Sequence, residues 1–242
     1  MQLPNPEQII VLDIETVSAY PSYSQMPEVW QQLWADKIGW QLPEEDTPES
    51  FYPKRAAILA EFGKIVCISA GFFNPGPQGL EFRVKSFTAK EEVTLLQQFQ
   101  QAMEQLMQAR KVRMWLAGHN VKEFDVPYLC RRLLVNQLSL PNWLNFQAQK
   151  PWEVPLIDTL QLWKFGDYKH YTSLNLLAAC LGIASPKTNM DGSQVGPVYW
   201  QEGNLQRIAS YCQQDVVTVA QLLLRFAGRP LLQPHQIVEA TP

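Results

Sequence analysis

The chain has 242 residues, 46% hydrophobic and 11% aromatic, with a formal net charge of −3. That length holds one sizeable α/β domain, no apolar run approaches the ~20 residues of a membrane helix, and the acidic balance excludes a binder that grips a polyanion through a whole-protein field. The four cysteines, Cys67, Cys130, Cys180 and Cys212, form no C-x-x-C pair, which argues against a zinc knuckle or a disulfide framework and predicts buried thiols.

Met1 to Glu7 has no basic segment followed by an apolar one, so no secretory signal is expected and the expected compartment is cytoplasmic. Ile9 to Val17 is a continuous β-branched apolar run interrupted by Asp13 and Glu15, the pattern of a strand buried on both faces. Lys64 to Phe73 and Leu80 to Phe87, separated by the Asn74-Pro75-Gly76-Pro77 turn, predict two further strands in a meander. Between them and the first strand, residues 18–62 are rich in Trp and Pro with mixed helical signals, and are expected to be an insertion.

Apolar residues at three- and four-residue steps predict a helix from Ala89 to about Arg110, with Thr88 as N-cap. Val112 to Gly118 reads as a strand, Val126 to Leu134 as a helix and Leu156-Ile157 as a short strand. Ser173 to Leu181 predicts a helix closed by Gly182, and Leu205 to Phe226 a last helix ended by Gly228 and Pro230. The residues from Ser185 to Tyr199 read as a loop. Such alternation favours helices packed on a mixed sheet.

Three sites stand out within these elements. Asp13 and Glu15, two apart in a strand, leave the same face. Ionised carboxylates there are costly to bury without a cation or hydrogen-bond partners, and a carboxylate-only donor set suits Mg²⁺ or Mn²⁺, whereas zinc favours His or Cys. The alternative is a pair of acids at a strand end, solvated or capping a helix. Asp125 lies where a strand hands over to a helix, the end at which α/β sheets keep ligands; it reads equally as an N-cap with Pro127 in the first turn. Tyr211 and Asp215 are four apart and share one face of the last helix. Here the alternatives are a surface acid and a core phenol.

Taken in order, these motifs resemble the DEDD exonuclease superfamily, and within it the tyrosine branch: D-x-E in a strand, N-x-x-x-F-D-x-P-Y-L from Asn120 through Phe124 and Asp125, and Y-x-x-x-D from Tyr211 to Asp215. The second motif is most similar to that of the proofreading domain of family B DNA polymerases. Ile157-Asp158-Thr159-Leu160 fits the segment that family places between its second and third motifs. The chain resembles a bacterial group of stand-alone predicted polymerase-B-like exonucleases. The resemblance runs from about Ile9 to Phe226 and departs from the family in the 18–62 insertion. With no polymerase module in the sequence, proofreading within this chain is not expected.

The resemblance implies an α/β, RNase H-like mixed sheet with helices on both faces, and one 3′–5′ exonuclease domain over residues 1–242. It implies hydrolysis at the 3′ end of single-stranded DNA with release of nucleoside 5′-monophosphates, using two Mg²⁺ or Mn²⁺ ions. Asp13, Glu15 and Asp215 would ligate the first ion, Asp13 would bridge to the second, and Asp125 would support that second ion. Tyr211 would orient the attacking water. Asn120, Phe124 and Lys187 are the expected substrate contacts, with Lys164, Lys169 and His170 as further phosphate candidates. Asp158 is expected to support or cap rather than ligate. Neither His119 nor His170 lies four or five residues before Asp215, where the histidine branch keeps its base. Trp30, Trp34, Trp40 and Trp152 form a stacking surface or pack against the host domain. The alternatives are an RNA 3′-trimming enzyme on the same scaffold and a catalytically silent nucleic-acid-binding protein; no membrane partner is expected, and no protein partner is identified.

Overall fold

The structure is a computed structural model that describes residues 3–77, 79–147, 149–150, 153–167, 169–184 and 190–239. In chain order its elements are β1 (Ile9–Ser18), α1 (Glu28–Ile38), α2 (Pro48–Arg55), β2 (Gly63–Gly76), β3 (Gly79–Phe87), α3 (Glu92–Arg110), β4 (Trp115–Gly118), α4 (Asp125–Val135), β5 (Leu156–Asp158), α5 (Thr159–Lys164), α6 (Leu174–Cys180), α7 (Val195–Pro197), α8 (Leu205–Phe226) and β6 (Ile237–Glu239). The six strands form one mixed sheet in the order β5-β4-β1-β2-β3-β6. β1, β2 and β3 are an antiparallel meander, while β4, β5 and β6 each run parallel to their neighbour.

The two-faced apolar run of β1 builds two cores. Ile10, Leu12 and Ile14 pack with Leu95, Leu96 and Phe99 of α3 and with Val126, Leu129 and Leu133 of α4. Ile9 and Val11, pointing the other way, pack with Val216, Val219, Ala220 and Leu223 of α8. The period of two therefore carries Asp13 and Glu15 to the α8 face. A strand buried on both sides in this way explains why its run does not alternate. The fold is α/β with an RNase H-like mixed sheet and helices on both faces, as the resemblance implied.

Two boundaries differ from expectation, and two short elements are additional. α3 begins after Glu91 rather than at Thr88, because the chain uses 88–91 to cross from β3 to the helix; the Glu92 carboxylate then accepts from Ile65 N at 2.7 Å. β4 begins at Trp115 rather than Val112, since Lys111 takes a left-handed φ of 53° at the end of α3 and the next residues are still leaving it. β6 and α5 were not foreseen: three and six residues are too short to show a period.

Within residues 18–62, α1 and α2 enclose a small core of their own, with Trp34, Ile38, Phe51, Tyr52 and Phe62. Trp34 Nε1 donates to Pro48 O at 2.8 Å. This segment is tied to the sheet's α3–α4 side by the Tyr128 hydroxyl, which donates to Ala57 O at 2.9 Å, and by Arg132, which donates to Ala60 O at 2.8 Å and pairs with Glu92.

Candidate active site

β4 pairs with β1 only along Ile9–Val11. Beyond Val11 that edge of β1 is open, and the start of α4 fills it: Asp125 Oδ1 accepts from Ile14 N at 3.1 Å. Asp125 is therefore not a helix cap, since Phe124 holds the N-cap position without a side-chain bond and the carboxylate reaches across to the strand. On the α8 side, Cys212 Sγ donates toward Asp13 O and Oδ2, each at 3.4 Å. Asp13, Glu15 and Cys212 bring their donor atoms within 4.8 Å of one another. Asp215 follows Cys212 by three residues on the same helix face, and its charge and that of Asp125 both act on Asp13 and Glu15.

Burial and mutual charge dominate the electrostatics of this site. Asp13 is held well above the usual carboxylate range, first by burial and then by Asp125, Glu15 and Asp215. Glu15 is likewise raised well above its ordinary value, by burial and then chiefly by Asp215. Burial pushes Asp125 up to about 7, and Asp215 up to about 6 against a hydrogen bond from Tyr211 that lowers it. Among the described residues the ion pairs are Lys54–Asp46, Arg83–Glu81, Arg132–Glu92 and Arg207–Glu202, and none reaches the four acids. Cations are the missing partners that such a set calls for, and all four donors are hard oxygens. In the metal-free protein, burial, Cys67 and the neighbouring carboxylates raise the pKa of the Cys212 thiol well above the ordinary thiol value. It stays protonated and donates.

Burial, followed by Asp215, Glu15 and Asp13, also pushes the Tyr211 phenol far above its ordinary value. Tyr211 is a proton-holding hydroxyl, not a base.

The loop that carries Asn120 is built by Asp158. Its Oδ1 accepts from Asn120 N and Leu160 N, both at 2.9 Å, and its Oδ2 from Lys122 N at 3.2 Å. It caps α5 and pins the turn into α4 at once, which places it as a support rather than a ligand. Gly118 permits the turn: a Cβ there would lie 2.8 Å from Val121 Cβ and 3.0 Å from Leu12 O. Asn120 takes a φ of 63°, a region Asn tolerates better than most residues. Its Oδ1 is buried with no hydrogen-bond partner among the described residues. Because Asp158 is buried, Asp158→Ala leaves three N–H groups without their acceptor, and a loss of about 3 kcal/mol is expected where each unmade buried bond costs ~1–3 kcal/mol. Urea midpoints in chelator measure it. A loss below about 1 kcal/mol would show that water takes over the acceptor's role.

The other expected contacts divide. Phe124 is half-buried, with its ring 5.4 Å from that of Tyr128 and packed against the α3–α4 core. Lys164 ends α5, and Lys169 and His170 lie exposed between α5 and α6. Lys187 and Trp152 fall outside the described residues. The described tryptophans divide: Trp34 is wholly buried, Trp30 sits edge-on to Phe62 at 5.9 Å, and Trp40 is exposed. His119 makes two hydrogen bonds, to the Thr159 hydroxyl and to Thr172 O, each at 2.9 Å. Cys212 went unrecognised as a neighbour of the acids; its place three residues before Asp215 on one helix face was the available signal.

A family model described as a predicted 3′-5′ exonuclease related to the exonuclease domain of PolB matches residues 58–229. That span holds Asp125, Tyr211 and Asp215, whereas Asp13 and Glu15 of β1 lie before it. Among solved structures, the family B DNA polymerase from the hyperthermophilic archaeon Pyrobaculum calidifontis is similar over 93% of this chain at 14% identity, with a TM-score of 0.53. This chain spans only 25% of that polymerase's length, and the likeness is one of fold. No curated protein matches the chain. No helix among the described residues is long and apolar enough to cross a membrane. Since the family model covers more than half of the 242 residues, the chain belongs to the predicted 3′-5′ exonucleases related to the exonuclease domain of PolB, enzymes that hydrolyse phosphodiester bonds of nucleic acid.

Proposed function

We propose that this chain is a tyrosine-branch DEDD exonuclease that removes nucleoside 5′-monophosphates from the 3′ end of single-stranded DNA, with two Mg²⁺ or Mn²⁺ ions held by Asp13, Glu15, Asp125 and Asp215. The single observation that carries this reading is a group of four buried or half-buried carboxylates, each held above its ordinary pKa, in which Asp125, Glu15 and Asp215 act on Asp13 and no ion pair among the described residues reaches them. We read the whole chain as one domain with residues 18–62 as an insertion.

In the proposed roles, Asp13 and Glu15 present their oxygens from β1, Asp215 closes the site from α8, and Asp125 closes it from α4. Bound there, paired cations supply an activated water and stabilise the leaving 3′ oxygen. Tyr211 keeps its proton and orients the water by hydrogen bonding, since its phenol stays neutral at any working pH. Asn120, with its unpartnered Oδ1, and Phe124 contact the terminal nucleotide. Lys187 is assigned to phosphate. An unpaired end suits a molecule with a net charge of −3, because duplex grip by many phosphates needs a basic surface.

Oligomers labelled at the 5′ or 3′ end, as DNA and RNA, with and without a 3′-phosphate block, test the reading. Single-stranded DNA with a free 3′ hydroxyl is expected to shorten from that end, with immediate loss of a 3′ label as mononucleotide. Shortening from the 5′ end, or cleavage of circles, would overturn the polarity. Faster loss of RNA would move the substrate to RNA and leave the mechanism standing.

A further inference from the structure

The carboxylate chemistry leaves one well-held aromatic unused. Tyr171, in the segment between α5 and α6, is 67% exposed, yet its ring lies edge-on to His119 with centroids 6.3 Å apart at 70°. Thr172 O has no proton to give, so His119 Nε2 must donate to it, leaving Nδ1 of the neutral ring to accept from the Thr159 hydroxyl. Burial holds the imidazole below its ordinary pKa, consistent with that neutral form. The residue after Tyr171 is thus fastened to the end of β4. Ser173, two residues on, caps α6 by accepting from Leu176 N at 3.4 Å.

An exposed ring with a fixed backbone on its C-terminal side and a half-buried ring at its edge is held in place without being covered. Through His119 it also adjoins the loop that carries Asn120 and leads into Asp125. His119 directly precedes Asn120 and follows Gly118, which pairs with Asp158 across the β4–β5 ladder. Partial burial, followed by the charges of Asp125, Asp158 and Asp215, raises the phenol's pKa. A neutral ring suits this place, because it adds no charge beside carboxylates and offers a π face that any base can use.

We infer that Tyr171 is the stacking platform for the unpaired base at the 3′ end of the substrate, and that His119 is its positioning residue. The inference rests on the exonuclease reading above. The platform holds the base while the four acids and Tyr211 act on the phosphodiester, and it is indifferent to base identity.

The probe is a single-stranded DNA oligomer carrying 2-aminopurine at its 3′ end and a phosphorothioate at the last linkage to slow cleavage, bound in Mn²⁺ by the wild type, Tyr171→Phe and Tyr171→Ala. Affinity is read by anisotropy and stacking by quenching of the 2-aminopurine. Tyr171→Ala is expected to weaken binding roughly 5- to 100-fold and abolish the added quenching, as the loss of one base–aromatic stack does. Tyr171→Phe is expected to keep both. On unmodified DNA, Tyr171→Ala should raise KM with kcat within about threefold of wild type, because the ring touches no reacting atom.

Unchanged affinity and quenching in Tyr171→Ala would overturn the platform, as would a loss in Tyr171→Phe as large as that in Tyr171→Ala. A fall in kcat with KM unchanged would do the same. A wild type that binds and quenches but releases no nucleotide would defeat the exonuclease reading and leave the platform standing. A wild type that releases nucleotides while Tyr171→Ala behaves identically would defeat the platform alone, and a wild type that neither binds the oligomer nor releases nucleotide would defeat both.

Discussion

Asp13→Ala is expected to lower single-turnover nucleotide release by roughly 10³-fold or more, several kcal/mol at 1.36 kcal/mol per tenfold, while leaving the metal-free protein no less stable than wild type. The two halves of this result come from one geometry. Asp13 stands at the centre of the cluster, since burial and then Asp125, Glu15 and Asp215 all raise its pKa. In the proposed reading Asp13 would hold a cation together with Glu15 and Asp215, so its removal would take a ligand oxygen from the site. Without metal the same carboxylate is a buried charge among three others, and its loss relieves repulsion. The Cys212 thiol loses Oδ2 as an acceptor and keeps the Asp13 carbonyl at 3.4 Å. Single-turnover rates in Mn²⁺ and urea midpoints in chelator check the two halves separately. A variant that retains wild-type turnover would remove Asp13 from the site. A variant clearly less stable in chelator would make Asp13 a structural residue whose hydrogen bond outweighs its charge.

How much of this was legible in the sequence depended on the range of the interaction. β1 was readable because a two-faced buried strand writes itself as an unbroken apolar run, and the same run fixed which face Asp13 and Glu15 share. α8 was readable to its ends because its apolar stripe continues for 22 residues. Asp125 was not decided locally: helix cap and ligand are equally good readings of one Asp before a helix. What separates them is the bond to Ile14 N, 111 residues away in sequence. Asp158 was readable as a cap, yet its hold on Asn120 and Lys122 depends on β4 and β5 lying side by side. His119 and Tyr171 show the same limit, because the contact that orients the exposed ring joins two loops that no local period relates. The tryptophans of residues 18–62 left two readings open, a stacking surface or packing against the host domain. Their spacing does not reveal that Trp34 turns into a core shared by α1 and α2 while Trp40 points to solvent.

Raising the pH is expected to destabilise the metal-free protein, and adding Mg²⁺ or Mn²⁺ to reverse this most strongly at the alkaline end. The sign follows from the folded-state pKa values. Asp215 lies at about 6 and Asp125 at about 7, whereas unfolded carboxylates titrate near ~4. Asp13 and Glu15 are raised as well. Each group binds its proton more tightly when folded, so its contribution is fully present below the unfolded value and is lost as the pH rises through the folded one. For the two printed values the loss runs from about pH 4 to somewhat above pH 7, so Tm in chelator should fall across that window. Asp215→Asn, which cannot titrate, should flatten the fall. Cations compete with those protons, so at pH 5 they must displace them, and at pH 8 they meet ionised oxygens. At a concentration about 100 times Kd the metal is expected to add ~2.7 kcal/mol, or roughly 5–10 °C for a chain of this size. At pH 5 the same concentration should add far less. Thermal melts at pH 5 and pH 8, with chelator or with each cation, measure all four corners. Equal increments at the two pH values, or a Tm in chelator that climbs with pH as steeply in wild type as in Asp215→Asn, would mean that these carboxylates are neither raised nor the seat of the cations.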